Sequence, residues 1–392
     1  MDRRITGEMN YLASKGHHVV FLSPKVDLNG AGVSPQVRCL VPPQEAAPSR
    51  VTGITRNRRL RERILSLPAF LARPLCALAI WVLDRIMYRE LEAKLKREMP
   101  GWVPDYIHIH DLRLADFAVH LKKSFFPNVK LIYDSHELTP FQTLIQKLTP
   151  YFLRREKRAV RKMDAVITVN PSIAERMSEL YGIPKPKVLY NSQESFESTG
   201  SDPVPLETVF GIPKLPESAV KVLFQGSLTP DRNIESLLKA FQLLPDDFHL
   251  FVLGNGPDEH LVREITSPQI HFHNAVEQIG LQDITNQATF GIIPYLATNC
   301  ENNLLCTPNK LFEFINAKLP ICSAELREVH KILSECGNGR CYPMETPEKI
   351  AAAIKDFSDR LKNGQITKDN LEFAAETYSY KKRITVLDEI YI

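Results

Sequence analysis

The sequence predicts an α/β protein built from two doubly wound halves in tandem, and three observations carry that prediction. Apolar runs of strand length alternate with helical patterns nearly throughout the chain, the order that parallel βαβ units produce. The alternation breaks once, at the proline- and glycine-punctuated stretches 192–205 and 211–219, and then restarts. The 392 residues give each half enough chain to bury a core of its own.

Taken in order, residues 4–15 read as a helix that feeds a strand at 18–22 (HVVFL). Further strands are expected at 105–109 (DYIHI), 129–133 (VKLIY), 165–169 (AVITV) and 187–190 (KVLY). The second half offers 220–225 (VKVLFQ), 248–253 (FHLFVL), 269–273 (QIHFH), 289–293 (TFGII) and 319–323 (LPICS), with helical patterns such as 233–244 and 309–317 between them. The expected domains are 1–198 and 199–370, with a closing helix over 371–392. One element is missing: no strand precedes the helix at 4–15, although a doubly wound sheet normally places its first strand centrally, with a loop facing the ligand. The first strand of the N-terminal domain is therefore expected to be absent.

Composition narrows the function. With 44% apolar, 24% charged and 8% aromatic residues, the chain reads as globular rather than disordered. A net charge of +3 excludes the broad basic field of a nucleic-acid binder. Charge is uneven, since residues 50–99 hold twelve Lys/Arg against five Asp/Glu. That segment mixes basic and apolar residues, including Leu75–Leu83 with Trp81. It reads as core-packing helices with solvated basic faces, or as an interfacial surface for anionic lipid. Seven scattered cysteines match no zinc or redox spacing and are expected to be reduced thiols. Met1 is followed at once by Asp2, Arg3 and Arg4, so a secretory signal is not expected. A cytoplasmic location is expected, with peripheral contact at the inner face of a membrane.

Two segments in the second half suit an anion. In Cys306-Thr307-Pro308-Asn309-Lys310-Leu311-Phe312-Glu313, Thr307 reads as an N-cap and Pro308 as the first helical residue. A helix start offers free N–H groups and partial positive charge, and Lys310 in the first turn makes sense beside an anion. Glu313, one turn on, suits ribose hydroxyls; pairing with Lys310 on a surface helix is the plainer alternative. Gly226-Ser227-Leu228-Thr229-Pro230-Asp231-Arg232 lies between a strand and a helix, where Gly226 permits close backbone approach and Arg232 offers a fork for phosphate. Gly254 and Gly256 follow the next strand, a weaker signal that a simple turn also explains. In the first half, His108 and His110 share a strand face by alternation, Asp111 follows them, and His136 and Glu137 end the next strand. A metal held by these histidines is not expected, because no compact ligand set is evident, and no Asp-x-Asp motif offers a place for magnesium.

The ordered segments DRRITGEMNYLASKGHHVVFLS, YIHIHDL, LIYDSHEL, the run 164–175, VLYNS, LFQGSL, FVLGNGP and TPNKLFEFINAKLPI together resemble glycosyltransferase family 4, whose members have the GT-B fold. The resemblance spans essentially the whole chain. It implies two Rossmann-like domains facing a central cleft, with the C-terminal helix crossing back to the first domain. It implies a retaining, metal-independent, hexosyltransferase-type enzyme. Such an enzyme moves sugar from a UDP- or GDP-linked donor to a glycan or lipid-linked acceptor in polysaccharide or glycoconjugate biosynthesis, with no further cofactor. By the same resemblance Arg232 holds the donor diphosphate and Gly226 and Ser227 line its loop. Thr307, Pro308, Asn309 and Lys310 cover the phosphates, Glu313 binds the ribose, and His110 contacts the transferred sugar. His136 and Glu137 lie toward the acceptor; Gly254, Gly256 and Asp111 complete the donor and acceptor sets. This sequence departs from the family in three ways. Leu305 stands where many relatives have a first glutamate eight residues before Glu313, Ser227 replaces a second basic residue whose charge Lys310 can supply, and the glycine-rich loop after the first strand is absent. A nucleotide-sugar epimerase of the same fold and a non-catalytic nucleotide-binding relative are the alternatives.

Overall fold

In a computed structural model the chain forms two compact units. One comprises Met1–Thr168, Ala174–Val188 and Val386–Ile392; the other Val169–Ile173 and Leu189–Thr385. The structure describes residues 3–23, 32–40, 69–110, 112–142, 148–192, 204–265, 267–276, 280–296 and 300–392.

The first unit opens with α1 (Arg3–Ser14). Its apolar residues fall at helical spacing, so Met9, Leu12 and Ala13 are buried together with Thr6 and Glu8. Gly16, at φ +90, ends it in the left-handed conformation that favours glycine. Strands β1 (Val20–Leu22) and β2 (Arg38–Leu40) pair in parallel as a two-stranded sheet. In the described part of the basic segment the chain forms a 30-residue helix, α2 (Ala69–Glu98); residues 50–68 lie outside the described residues. Then come β3 (Tyr106–Ile109), α3 (Leu112–Ser124), β4 (Lys130–Ser135), α4 (Thr149–Val160), β5 (Ala165–Thr168), α5 (Pro171–Tyr181) and β6 (Lys187–Val188). The four strands β3-β4-β5-β6 form one parallel sheet. Among the described residues no strand joins β1 to β3. Val20, Leu22 and Ile107 nonetheless pack on one core with Tyr88, Leu91 and Phe117, so apolar burial links the two sheets without a backbone ladder.

The second unit runs α6 (Leu206–Phe210), β7 (Val220–Gln225), α7 (Ile234–Phe241), β8 (Phe248–Leu253), α8 (Glu259–Glu264), β9 (Ile270–His273), α9 (Leu281–Thr285), β10 (Phe290–Ile293), α10 (Glu301–Leu305), α11 (Asn309–Asn316), β11 (Ile321–Ala324), α12 (Arg327–Cys336), β12 (Gly339–Tyr342), α13 (Pro347–Lys362), α14 (Lys368–Thr377) and α15 (Tyr380–Arg383). Its six parallel strands stand in the order β12-β11-β10-β7-β8-β9. This is a doubly wound sheet whose strand order reverses between β7 and β10. Both faces are covered, which is why the central strands read as continuous apolar runs rather than alternating ones. Val222, Phe224 and Leu250 face one core with Phe241 and Phe357. Leu223, Phe251 and Ile293 face the other with Leu311 and Phe314. No helix among the described residues is long and apolar enough to cross a membrane.

Candidate functional site

In the second unit, the reversal of strand order places the C-terminal ends of β7 and β10 side by side, and the loops there carry the expected residues. Gly226 follows β7 at φ +117, a conformation that strains any side chain, and a Cβ on it would stand 3.3 Å from Lys310 Cε. Its amide donates to the Leu253 carbonyl at 2.9 Å, and the Leu228 amide donates to Asn255 O at 3.0 Å. A Cβ on Gly254 would stand 1.9 Å from the Gly226 carbonyl oxygen, and one on Gly256 would stand 2.2 Å from that of Leu228. These two glycines thus let the loops after β7 and β8 lie against each other. Ser227 is exposed in the same loop.

Arg232 ends the 3₁₀ turn Pro230–Arg232. Its guanidinium lies 3.9 Å from the centre of the Tyr295 ring, just past β10, and 3.1 Å from the Asp231 carboxylate. Lys310 reaches the same ring, its Nζ 3.6 Å from the Phe224 ring centre and 5.0 Å from that of Tyr295. Lys310 is not the surface residue of the plainer reading. It is 4% exposed, and its Nζ has no hydrogen-bond partner. Burial pushes its pKa well below the usual lysine range, and the Arg232 charge adds to the effect against Glu313 and Asp231. The Phe224 and Tyr295 rings are its nearest aromatic faces, and an incoming anion would favour its charged form.

The helix start differs from expectation. Helix α11 begins at Asn309 with Pro308 as its N-cap, so Thr307 is not the cap and Pro308 is not yet helical. Instead the Asn170 side-chain amide donates to Leu305 O at 2.8 Å and to Thr307 Oγ1 at 3.4 Å. Proline in extended conformation can cap the chain direction without a side-chain acceptor, and Thr307 is spent on packing, 3% exposed. Asn309 is exposed and accepts from Asn191 Nδ2 at 3.2 Å. Glu313 accepts from Gln225 Nε2, while Gln225 Oε1 accepts from Thr285 Oγ1 at 2.9 Å. Thr285 and Gln225, absent from the sequence reading, therefore orient the Glu313 carboxylate.

In the first unit, α1 and the ends of β3 and β4 build a buried polar cluster. Arg4 donates from Nε and Nη2 to the two Asp134 oxygens, each at 2.7 Å, and its Nε is 3.0 Å from Glu8 Oε1. His110 Nδ1 and His136 Nε2 both lie 3.3 Å from Asp134 Oδ2 and 3.2 Å from each other. The rings of His108 and His110 stack at 4.3 Å, and His108 Nδ1 is 2.8 Å from the Tyr391 hydroxyl. Burial drives Glu8 well above the usual carboxyl range, and the Asp134 charge pushes the same way. Burial opposes ionisation of Asp134 too, but Arg4, then His136 and the hydrogen bonds from both histidines, hold it well below its ordinary value. Burial lowers His110 despite Asp134, which leaves a neutral imidazole at physiological pH. Glu137 uses its carbonyl, which accepts from Ser135 Oγ at 2.9 Å, and Asp111 lies outside the described residues.

Glu8, His108, His110 and Asp134 bring four donor atoms within 4.8 Å of one another. The compact set that the sequence did not reveal thus exists, because α1 delivers Glu8 across the sheet. Arg4 already supplies a cation there, spending both Asp134 oxygens. Arg4 and Glu8 were legible as an i,i+4 pair in which Glu8 falls among Ile5, Met9 and Leu12 on the apolar side. Asp134 shares the alternating strand face of His136.

Residues 1–192 match the model of the glycosyl transferase 4-like domain, and residues 219–360 that of glycosyl transferases group 1. The chain is a GT4-type glycosyltransferase. Its fold is shared with several solved structures. Sucrose-phosphate synthase from Thermosynechococcus elongatus superposes with a TM-score of 0.70 at 15% identity, covering 99% of this chain and 92% of that one. WaaG, a glycosyltransferase involved in lipopolysaccharide biosynthesis, gives 0.60 at 13%, covering 99% and 95%. HepE from Anabaena in complex with UDP gives 0.62 at 13%, covering 78% and 82%. Among curated proteins no sequence matches this glycosyltransferase. At these identities the likeness is one of GT-B fold, as the two Rossmann-like units also indicate.

Proposed function

We propose that this glycosyltransferase takes a nucleoside-diphosphate sugar, UDP- or GDP-linked, at the β7/β10 end of its second unit. We further propose that it transfers the sugar with retention to a glycan or a lipid-linked acceptor. The observation that carries the donor reading is the convergence of Arg232 and buried Lys310 on Tyr295. Two basic side chains converging beside Gly226, one of them buried without a hydrogen-bond partner, fit a diphosphate. Lys310 supplies the second positive charge that Ser227 cannot. Glu313, oriented by Gln225, receives the ribose hydroxyls. As the sugar departs, Arg232 and Lys310 stabilise charge growing on the leaving diphosphate, electrostatic work for which a metal is not required.

His110 is the proposed sugar contact in the first unit. Neutral, and bonded to Asp134 and His136, it offers one oriented ring to a hydroxyl. His136 lies on its acceptor side. The structures solved with UDP and with UDP-glucose bound to HepE support a uridine donor, and WaaG, by its role in lipopolysaccharide biosynthesis, supports a glycoconjugate product.

The test is a melting-temperature series with UDP, GDP, ADP and CMP on the wild type and on Glu313→Ala. A bound nucleotide at about a hundredfold excess over its dissociation constant adds about 2.7 kcal/mol of stability. Stabilisation by one diphosphate that the variant loses supports the donor site; equal shifts in both proteins place the nucleotide elsewhere. Proton NMR of the product made from the corresponding nucleotide sugar then reads retention or inversion at the anomeric carbon.

A further inference from the structure

Between the N-terminal part of α2 and the start of α4 lies a cavity of about 300 Å³. Its walls are apolar, formed by Pro74, Ala77, Leu148, Pro150 and Tyr151, and arginines 154, 155 and 158 stand around it. The three arginines differ in how far their charge is used. Arg155 is buried and spent: it donates to Asp84 at 2.7 Å and to Asp116 at 2.8 Å, tying α4 to α2 and α3. Arg158 is 64% exposed and only 3.5 Å from Asp116 at its nearest. Arg154 is exposed and has no ion pair among the described residues. The cavity is therefore lined mostly by apolar surface, with exposed Arg154 and the loosely paired Arg158 among its lining residues.

Beside that mouth, α2 turns an apolar face to solvent. Leu75, Leu78, Trp81 and Val82 are 47, 57, 53 and 40% exposed. Single exposed apolar residues are ordinary, but four on successive turns of one helix face form a patch that calls for a cover. One turn on, the same face becomes basic. The Arg85 guanidinium stacks 5.4 Å from the Trp81 ring centre, and Arg89 follows, exposed. Leucine and tryptophan below arginines that can extend past them is the arrangement that suits the boundary between acyl chains and phosphates. A second copy of this face would meet it with like charge, and a nucleotide would find few polar groups to read in the cavity.

We infer that the α2–α4 face is a lipid-binding surface, in which the cavity takes the upper chain of a membrane lipid while Arg154 and Arg158 hold its phosphate. The inference rests on the lipid-linked acceptor of the proposed function and adds the site and the head-group chemistry. It places the protein on a bilayer rich in lipids with an exposed phosphate.

The full chain is sedimented with phosphatidylcholine vesicles and with vesicles that also contain phosphatidic acid, at low and at elevated salt. Binding to the second kind only, weakened by salt, is expected. Arg154→Glu combined with Arg158→Glu should lower the partition coefficient at least about tenfold, given roughly 1 kcal/mol for each basic residue near an anionic surface. Leu78→Ser with Trp81→Ser should lower it as well. Ala77→Phe fills the cavity and should remove the melting shift that dihexanoyl phosphatidic acid gives the wild type. The UDP-dependent melting shift, read on every variant, reports folding and donor binding separately from the lipid surface. Equal binding to both vesicle types, no binding, or variants that bind as the wild type does would overturn the inference. So would inorganic phosphate matching the short-chain lipid, or an apolar-face dimer lost in the Leu78→Ser, Trp81→Ser protein.

Discussion

At the scale of single residues, the decisive side chain is Lys310. A lysine in the first turn of a helix opposes the helix dipole, and this one is buried with no hydrogen bond to offset the loss of water. Its ammonium meets the Phe224 and Tyr295 rings, and in the proposed donor site it also meets an anion. Replacing it by a methionine of similar length removes the desolvation penalty and keeps the contacts with Phe224 and Tyr295. Lys310→Met is therefore expected to raise the stability of the unliganded protein by about 1–3 kcal/mol and to abolish the melting shift caused by the nucleoside diphosphate. Scanning calorimetry with and without nucleotide checks both halves. A destabilised variant that still responds to nucleotide would make Lys310 structural. The residue type and its place in the first turn were legible in the sequence. Its burial was not, because nothing local says that the ends of β7 and β10 close over the aliphatic stem.

At the scale of elements, α4 shows how a buried carboxyl pins a helix to its sheet. Glu156 accepts from the Tyr133 hydroxyl of β4 at 2.7 Å and from the Tyr181 hydroxyl at the end of α5. It is fully buried, and burial, against both hydroxyl bonds, raises its pKa from 4.5 to about 7. The sign of the pH effect follows from the extra proton carried by the folded state. Its stabilising share is complete below the unfolded value near 4.5 and is lost as pH rises through about 7. A shift of this size corresponds to roughly 3 kcal/mol. The stability difference between wild type and Glu156→Gln is expected to move against the wild type by about that amount across the window, measured by urea unfolding at a series of pH values. A pH-independent difference would mean that Glu156 is ionised when buried. Of the elements themselves, ten strands stand where their apolar runs put them. The two that escaped, β2 and β12, are short edge strands (RCL and GRCY) that mix polar and exposed residues. Such strands take their conformation from a neighbour's ladder and not from their own pattern.

At the scale of the whole molecule, both units bury their cores under helices on each side of parallel strands, and the cysteines report that burial. All seven are free thiols; Cys300, Cys322 and Cys336 are buried, while Cys39, Cys76, Cys306 and Cys341 are half-buried. Burial lifts Cys322 well above the ordinary thiol range and Cys336 to about 11, which keeps them as unreactive thiols. Titration with a disulfide reagent at neutral pH is expected to modify at most four thiols in the native protein and all seven in denaturant. Rapid reaction of a fifth in the native state would contradict the packing of the second unit.

The sequence by itself determined the alternation of strands and helices, the tandem doubly wound architecture and the segments that carry Arg232, Lys310, Glu313, His110 and His136. These follow from periodicity, turn residues and motif order, all of them local. Only the tertiary structure decided that Arg4 and Glu8 of α1 complete the His110–Asp134 cluster, that Arg232 and Lys310 both reach the Tyr295 ring, and that Gly254 and Gly256 let the loops after β7 and β8 meet. It also showed Thr307 bonded by Asn170 in place of capping a helix. Each of these joins residues far apart in the chain. Desolvation and close packing act on what is near in space, and a local pattern carries no record of which distant residue that will be.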